Sequence, residues 1–237
     1  MKNKINELNS KLKNASAEDI LKFFLKEYKS KITFSSSLGA EDQVLTDMIV
    51  KIDKSTKIFT LDTGRMFYET YDTLDKTNSR YGIKIEIKFP EYEAVEKMVN
   101  EKGINLFYES IENRKLCCNI RKLIPIRRAL EGYDVWITGL RQGQSVTREE
   151  MKIVEWDNDF KIIKINPLLN WSEKDIWDYI RKTKIPYNIL HDKGYPSIGC
   201  APCTRAVEKG EEARNGRWWW ENPETKECGL HLQVKTS

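Results

Sequence analysis

The chain has 237 residues, enough for one large domain or a domain with an appendage. Hydrophobic residues make up 40% and charged residues 32%, which allows a sizeable core beneath a well-solvated surface. Forty Lys and Arg against thirty-six Asp and Glu leave a net charge of +4, too mild for a non-specific nucleic-acid binder. No apolar run reaches the roughly 18–20 residues of a membrane span. The opening MKNKINELNSKLKN lacks the apolar stretch and small-residue cleavage site of a signal peptide. The expectation is a soluble, cytoplasmic protein with no nucleic acid and no membrane as partner.

In chain order, the first thirty residues predict two helices. The second, around AEDILKFFLKEY, sets Ile20, Leu21, Phe24, Leu25 and Tyr28 at helical spacing. Short β-rich runs then alternate with helical patterns. KITFSSS precedes AEDQVLTDMIVKI, KIFTLDT precedes RMFYETYDTLDKTNSRY, and KIEIKF precedes EYEAVEKMVNEK. A helix from about Cys118 to Leu130 leads into VWITGLR. MKIVEWD and FKIIKINPL predict a strand pair turning at Asn158-Asp159. WSEKDIWDYIRKT predicts a helix capped by Ser172, with Asp175 three residues on. Beyond Pro186 regularity fades into an irregular tail. Strand–helix alternation of this kind predicts an α/β fold, an open and mostly parallel twisted sheet with helices on both faces.

Ligands of open α/β sheets sit beyond the carboxyl ends of the strands. Three segments end strands with small, polar or charged residues: Ser35–Gly39, Asp62–Arg65 and Thr138–Gln142. They are expected to converge on one crevice. SSSLGAED offers hydroxyls, a permissive Gly39 and a helix N-terminus to an anion such as phosphate, although an ordinary N-cap loop has the same look. It is no Walker A loop, because the Gly-Lys-Ser/Thr ending is missing.

The five cysteines fall as Cys117-Cys118, Cys200 and Cys203 in CAPC, and Cys228 alone. In a reducing compartment clustered thiols point to metal ligation or reactivity before disulfides. Two close pairs suit a Cys₄ site for zinc or for an iron–sulfur cluster. Adjacent ligands are awkward for a structural zinc site and favour the cluster. Cys228 reads either as a stray surface thiol or as a nucleophile activated by nearby cations such as Arg205, Arg214 and Arg217. The run Trp218-Trp219-Trp220 reads as apolar anchoring for the tail.

SSSLGAED, LDTGR, CC…KLIPIRRAL, WITGLRQGQS, GCAPCTRAV, GRWWWE and ECGLH, in this order, resemble the assimilatory adenylyl-sulfate (APS) reductases. That family groups with the phosphoadenylyl-sulfate (PAPS) reductases and has the adenine-nucleotide α-hydrolase-like fold. The resemblance runs from about Ile32 to Leu232. It implies a [4Fe–4S] cluster on Cys117, Cys118, Cys200 and Cys203, and a nucleophile at Cys228. Relatives restricted to PAPS generally lack the four cluster cysteines, so their presence favours APS. Motif by motif, the resemblance puts Ser35, Ser37 and Gly39 in a modified pyrophosphate-type loop. Asp62 and Arg65 fall at a nucleotide-contacting strand end, Lys122 between cluster and substrate, Arg141, Arg214 and Arg217 at the phosphate and sulfate, and His231 beside the nucleophile. Gln142-Gly143-Gln144 departs from relatives that carry another charged residue there.

The resemblance thus implies an α/β nucleotide-binding region over residues 1–190 with the N-terminal helices. Residues 191–237 of the same domain would form the cluster loop and a mobile tail carrying the nucleophile. The implied reaction is thioredoxin-dependent reduction of adenylyl sulfate to sulfite and AMP through a Cys228 S-sulfonate, in sulfate assimilation and cysteine biosynthesis. Competing readings are a PAPS or dual-specificity reductase, an ATP-using tRNA-thiolation enzyme, and a zinc-stabilised binding module. The apolar faces of the N-terminal helices are candidates for pairing subunits into a homo-oligomer.

Overall fold

The structure, a computed structural model, describes residues 2–144, 148, 150–208 and 210–222. Cys228 and His231 lie outside the described residues.

Two helices open the chain, α1 (Lys2–Leu12) and α2 (Ala17–Tyr28). Then follow β1 (Ile32–Ser35), α3 (Ala40–Ile52), β2 (Lys57–Leu61), α4 (Tyr68–Tyr81), β3 (Glu86–Lys88) and α5 (Tyr92–Lys102). The second half holds α6 (Ile111–Cys118), α7 (Ile124–Leu130), β4 (Val135–Ile137), β5 (Val154–Asp157), β6 (Ile162–Ile165) and α8 (Glu173–Thr183). The strands form one mixed sheet in the order β3-β2-β1-β4-β6-β5. β1 pairs in parallel with β2 and β4, β4 pairs in parallel with β6, and β5 runs antiparallel to β6. The mostly parallel sheet expected from the strand–helix alternation is therefore present.

The chain divides into two compact units. The first comprises Met1–Thr60, Glu69–Glu86 and Leu130–Asn188. Its core is built from the apolar stripes of α2, α3 and α8 and from the strands. Leu21, Phe24, Phe34, Leu45, Ile49, Val135, Ile137, Ile165 and Ile180 are all buried in it. Strands buried in this way read as largely apolar runs: VWI is unbroken, ITF is interrupted by Thr33, and IIKI by Lys164, which is buried and paired with Glu155 at 3.2 Å. Ile5, Leu8 and Leu12 of α1 belong to the same core, so the apolar stripes of the N-terminal helices pack within their own unit. α1 also closes the free edge of β5. Asn9 Nδ2 donates to the Val154 carbonyl at 2.7 Å, and Val154 N–H donates to Asn9 Oδ1 at 3.1 Å. α8 begins with the expected capping box, Ser172 and Asp175 satisfying each other's backbone N–H.

Asp47 on α3 ties three helices together. It accepts from Lys51 Nζ and Tyr179 Oη at 2.6 Å and from Tyr81 Oη at 2.9 Å. Burial and the Asp47 charge push both phenols above their ordinary value.

The second unit comprises Leu61–Tyr68, Ile87–Ala129 and Ile189–Ser237. It has its own smaller core of Met98, Leu106, Phe107, Trp218 and the thiols of Cys118, Cys200 and Cys203. The helix expected from about Cys118 begins earlier, at Ile111 behind the N-cap Ser110, and is not a single α-helix. Residues Asn119–Leu123 widen into a π turn before α7. Pro125 explains the widening: it has no N–H to give the carbonyl four residues back, and its ring would collide with that carbonyl.

Candidate functional site

In the first unit the strand order reverses at β1, whose neighbours β2 and β4 lead away on opposite sides. Such a switch point opens a crevice at the carboxyl ends of the strands. There Ser36, Ser37, Leu38 and Gly39 connect β1 to α3. Leu38 takes a left-handed backbone, φ +61°, unusual for a branched side chain. The loop holds itself in this shape. Leu38 N–H donates to Ser36 Oγ at 3.1 Å, Gly39 N–H to Ser37 Oγ at 3.4 Å, and Ser37 N–H and Oγ–H both donate to Asp42 Oδ2 at 2.6 Å. Burial pushes the Asp42 carboxyl up to about 6, although the two bonds from Ser37 pull it down. Ser35 faces elsewhere: its Oγ accepts from Trp136 Nε1 at 2.7 Å, which links β1 to β4.

The β4 end meets this loop directly. A β-carbon on Gly139 would lie 1.9 Å from Asp42 Oδ1, so only glycine fits. Arg141, buried, donates through Nε to Glu41 Oε1 at 2.8 Å and through Nη1 to the Trp171 carbonyl at 3.3 Å. Gln144 Nε2 donates to the same Glu41 oxygen at 2.8 Å, and Gln144 Oε1 accepts from Arg141 N–H and from Arg148. Arg141 is thus balanced by a carboxylate at the first turn of α3.

The second unit gathers the four described cysteines. Cys117 and Cys118 end α6, while Cys200 and Cys203 bracket a short 3₁₀ turn, with Cys203 N–H donating to the Cys200 carbonyl at 2.9 Å. All four line one cavity that opens to solvent, together with Arg65, Arg121, Lys122 and Trp218. The Asp62–Arg65 segment forms part of its frame. Asp62 Oδ1 accepts from Gly64 N–H at 2.8 Å, which holds Gly64 at φ +70°. Thr63 Oγ1 lies 3.2 Å from Cys200 Sγ, the Thr63 carbonyl accepts from Arg121 Nη1 at 2.6 Å, and the Arg65 carbonyl accepts from Ala201 N–H at 2.8 Å. The Arg65 guanidinium reaches the Ile104 carbonyl and Asn105 Oδ1 at 2.9 and 3.0 Å.

The electrostatics divide the thiols. Burial raises Cys200, but Lys122, the Thr63 hydroxyl, Arg217 and Arg121 outweigh it, and the thiol ends below its ordinary value. Cys203 is pushed up to about 12, by burial first and then by Cys200. Burial also raises Cys117, against the pull of Arg121. Two buried N–H groups here have no hydrogen-bond partner among the described residues, Trp218 Nε1 and Arg217 Nε. The Arg217 guanidinium sits against Gly199, where a β-carbon would come within 2.3 Å of Nη2, and 4.6 Å from the centre of the Trp218 ring. Among the described residues, no three His, Cys, Asp or Glu side chains are gathered tightly enough to hold a single metal ion.

Of the residues singled out in the sequence, Ser35, Ser37, Gly39 and Arg141 belong to the first unit. Asp62, Arg65, Lys122, Arg214, Arg217 and the four cysteines belong to the second. Arg214 is half-buried in the 3₁₀ turn Ala213–Gly216. Trp218 is buried in the core of the second unit and Trp220 packs edge-on to Tyr108 at 4.5 Å, whereas Trp219 is exposed. Sequence reasoning passed over Asp42, Thr63 and Arg121. Each sits inside a motif already noted, and the signal was there: a carboxylate five residues after Ser37, a hydroxyl in LDTGR, a second cation beside Lys122.

Comparison with known proteins bears on the whole chain. Residues 31–206 match the family model described as the phosphoadenosine phosphosulfate reductase domain. The chain is 51% identical over 219 residues to the adenosine 5'-phosphosulfate reductase of Allochromatium vinosum, covering 92% of this chain and 85% of that one. It is 50% identical over 210 residues to the enzyme of the same name from Burkholderia cepacia, covering 89% and 84%. Its fold is similar to the crystal structure of phosphoadenylyl-sulfate reductase from Candida auris, with a TM-score of 0.73 and 30% identity over 86% of this chain and 96% of that one. Yeast FAD synthetase, at a TM-score of 0.55 and 15% identity over 80% of this chain and 66% of that one, shares the fold alone. The chain belongs to the APS/PAPS reductase family.

Proposed function

We propose that this chain reduces adenylyl sulfate to sulfite and AMP, with thioredoxin as reductant and a [4Fe–4S] cluster as resident cofactor. Relatives named for the APS reaction stand near 50% identity, whereas the solved PAPS reductase stands at 30%. That difference favours the substrate without a 3'-phosphate. Free thiols suit a reducing compartment, and no helix among the described residues is long and apolar enough to cross a membrane. The cytoplasm is the compartment that fits.

The observation that carries the cofactor is the chemistry of the cysteine cavity. Four thiols on one cavity, with four cations lining it (Arg65, Arg114, Arg121 and Lys122) and two unpartnered N–H groups beside them, suit a sulfur-rich anionic group. Cys117, Cys118, Cys200 and Cys203 would hold it. Held by these residues, the group would tie the end of α6 to the Cys200–Cys203 turn and would supply local electrostatics; both reducing electrons would come from thioredoxin.

In the reaction, the Cys228 thiolate attacks the sulfuryl sulfur, and the bond from that sulfur to the bridging phosphate oxygen breaks. AMP leaves with the electron pair. Nucleophile and substrate are both anionic, a repulsion on the order of 4 kcal/mol for each close pair in a partly desolvated site. Lys122, Arg141, Arg214 and Arg217 are the residues assigned to offset it. A thioredoxin thiolate then attacks the sulfur of Cys228 and expels sulfite. Its second thiol resolves the mixed disulfide, so one dithiol is oxidised for each sulfite formed. Ser37 and Gly39, in a loop already held by Asp42, are assigned to the nucleotide's anionic groups, and Asp62, Arg65 and His231 to its further contacts.

The test is intact-mass analysis after adding APS or PAPS without reductant, together with iron and sulfide analysis of anaerobically purified protein. One SO₃ adduct mapped to Cys228 from APS, with about four irons per chain, is expected. The Cys228→Ser variant should keep its iron and bind APS without forming the adduct. Adduct from PAPS alone would overturn the substrate assignment, and sulfite production by Cys228→Ser would overturn the nucleophile.

A further inference from the structure

Arg114 lies one helical turn before Cys117 on α6, and its side chain is as buried as that of Glu221, both 2% exposed. The two form a fork: Arg114 Nε donates to Glu221 Oε1 and Nη2 to Oε2, each at 2.8 Å. The Arg114 guanidinium also faces the Trp218 ring, 5.0 Å from its centre, and Glu221 N–H donates to the Trp218 carbonyl at 2.9 Å. A fully buried ion pair is a poor device for stability, because an apolar pair of the same volume usually does as well. What it supplies is direction, since a bidentate fork fixes both partners in position and angle. The position fixed here is a particular one. Arg114 shares its helix with Cys117 and Cys118 and lines the cysteine cavity, and Glu221 lies seven residues before Cys228. Seven residues span at most about 25 Å, so the fork sets the origin from which Cys228 can reach.

We infer that the Arg114–Glu221 fork is a positioning device that pins the start of the Cys228 segment to the cysteine-bearing helix and so sets the rate of sulfuryl transfer. This rests on the proposed role of Cys228 as nucleophile. Arg114 and Glu221 act through Cys228 and are positioning residues. A displaced origin lowers the fraction of time Cys228 spends at attack distance, an effect on kcat with no change in nucleotide affinity.

The experiment measures single-turnover formation of the Cys228 S-sulfonate, the APS concentration giving half the maximal rate, and iron content. Glu221→Asp keeps the charge but withdraws the carboxylate by one methylene. The double variant Arg114→Met with Glu221→Leu fills the space without a fork. In both, the adduct should form roughly ten- to a hundredfold more slowly, with half-saturation within about twofold of the parent and full iron. A rate equal to the parent's in either variant, with the adduct still on Cys228, overturns the inference and leaves the nucleophile assignment standing. Loss of iron together with a parallel rise in half-saturation would make the pair merely structural and also overturn it. Absence of the adduct in the parent chain would locate the failure in the reading of Cys228 itself.

Discussion

Gly139 stands so close to Asp42 that a single added carbon would fall 1.9 Å from its Oδ1 and 3.1 Å from its Cγ. The carboxylate cannot swing aside, because Ser37 grips its other oxygen twice at 2.6 Å. Gly139→Ala therefore has to push either the β4 end or the Ser36–Gly39 loop. The expected cost is about 1–3 kcal/mol of stability, typical of overpacking, together with weaker nucleotide binding. Urea unfolding and titration with AMP check both effects.

Asp42 gives a pH prediction with a definite sign. Its carboxyl titrates at about 6 in the folded chain against 3.8 ordinarily. Between those values the folded state binds the extra proton, so folding is favoured as pH falls through this window and opposed as pH rises through it. Above about pH 6 the buried charge destabilises by on the order of 2–3 kcal/mol. Asp42→Asn, which keeps an oxygen for Ser37, removes that dependence. Relative to the parent, it should gain stability at pH 7.5 and lose the advantage near pH 4.5. Unfolding midpoints of the two proteins at both pH values decide it, and an advantage independent of pH would refute it.

Cys203→Ser should lose iron and most activity while remaining folded. The Cys200–Cys203 turn has ties that do not depend on metal. Tyr108 Oη donates to the Pro202 carbonyl at 2.6 Å, Ala201 N–H to Arg65, and Thr204 Oγ1 to the Cys200 carbonyl at 2.9 Å. Circular dichroism should match the parent, and AMP binding should persist, since Ser37 and Gly39 are untouched. A variant without iron but with full activity would sink the cofactor assignment.

Much of this was legible in the chain itself, for physical reasons. Parallel strands buried on both faces leave largely apolar runs, and VWI and, but for Thr33, ITF are such runs. α8 showed itself through a local exchange of hydrogen bonds between Ser172 and Asp175, written within four residues. The cysteine set was visible because thiols in two close pairs have few other uses. The rest depends on distance in sequence. Nothing near Arg114 announces a carboxylate 107 residues away, and nothing in WITGLR reveals that Gly139 faces Asp42. The π turn was hidden for another reason. Pro125 marks a disturbance in a helix, but the sequence does not say whether the chain kinks, ends or widens there.

Asn9 presents a donor and an acceptor to Val154 as a neighbouring strand would, and so satisfies the outward N–H and C=O of that residue at the β5 edge. Helix α1 is thus a cover for a strand made much later, whose contact residue is 145 residues further along the chain. Until that partner is made, the Ile5, Leu8 and Leu12 face has no core to enter. A truncation removing α1 would expose β5 as a template for other chains, and its first symptom would be aggregation during expression, before any defect in chemistry.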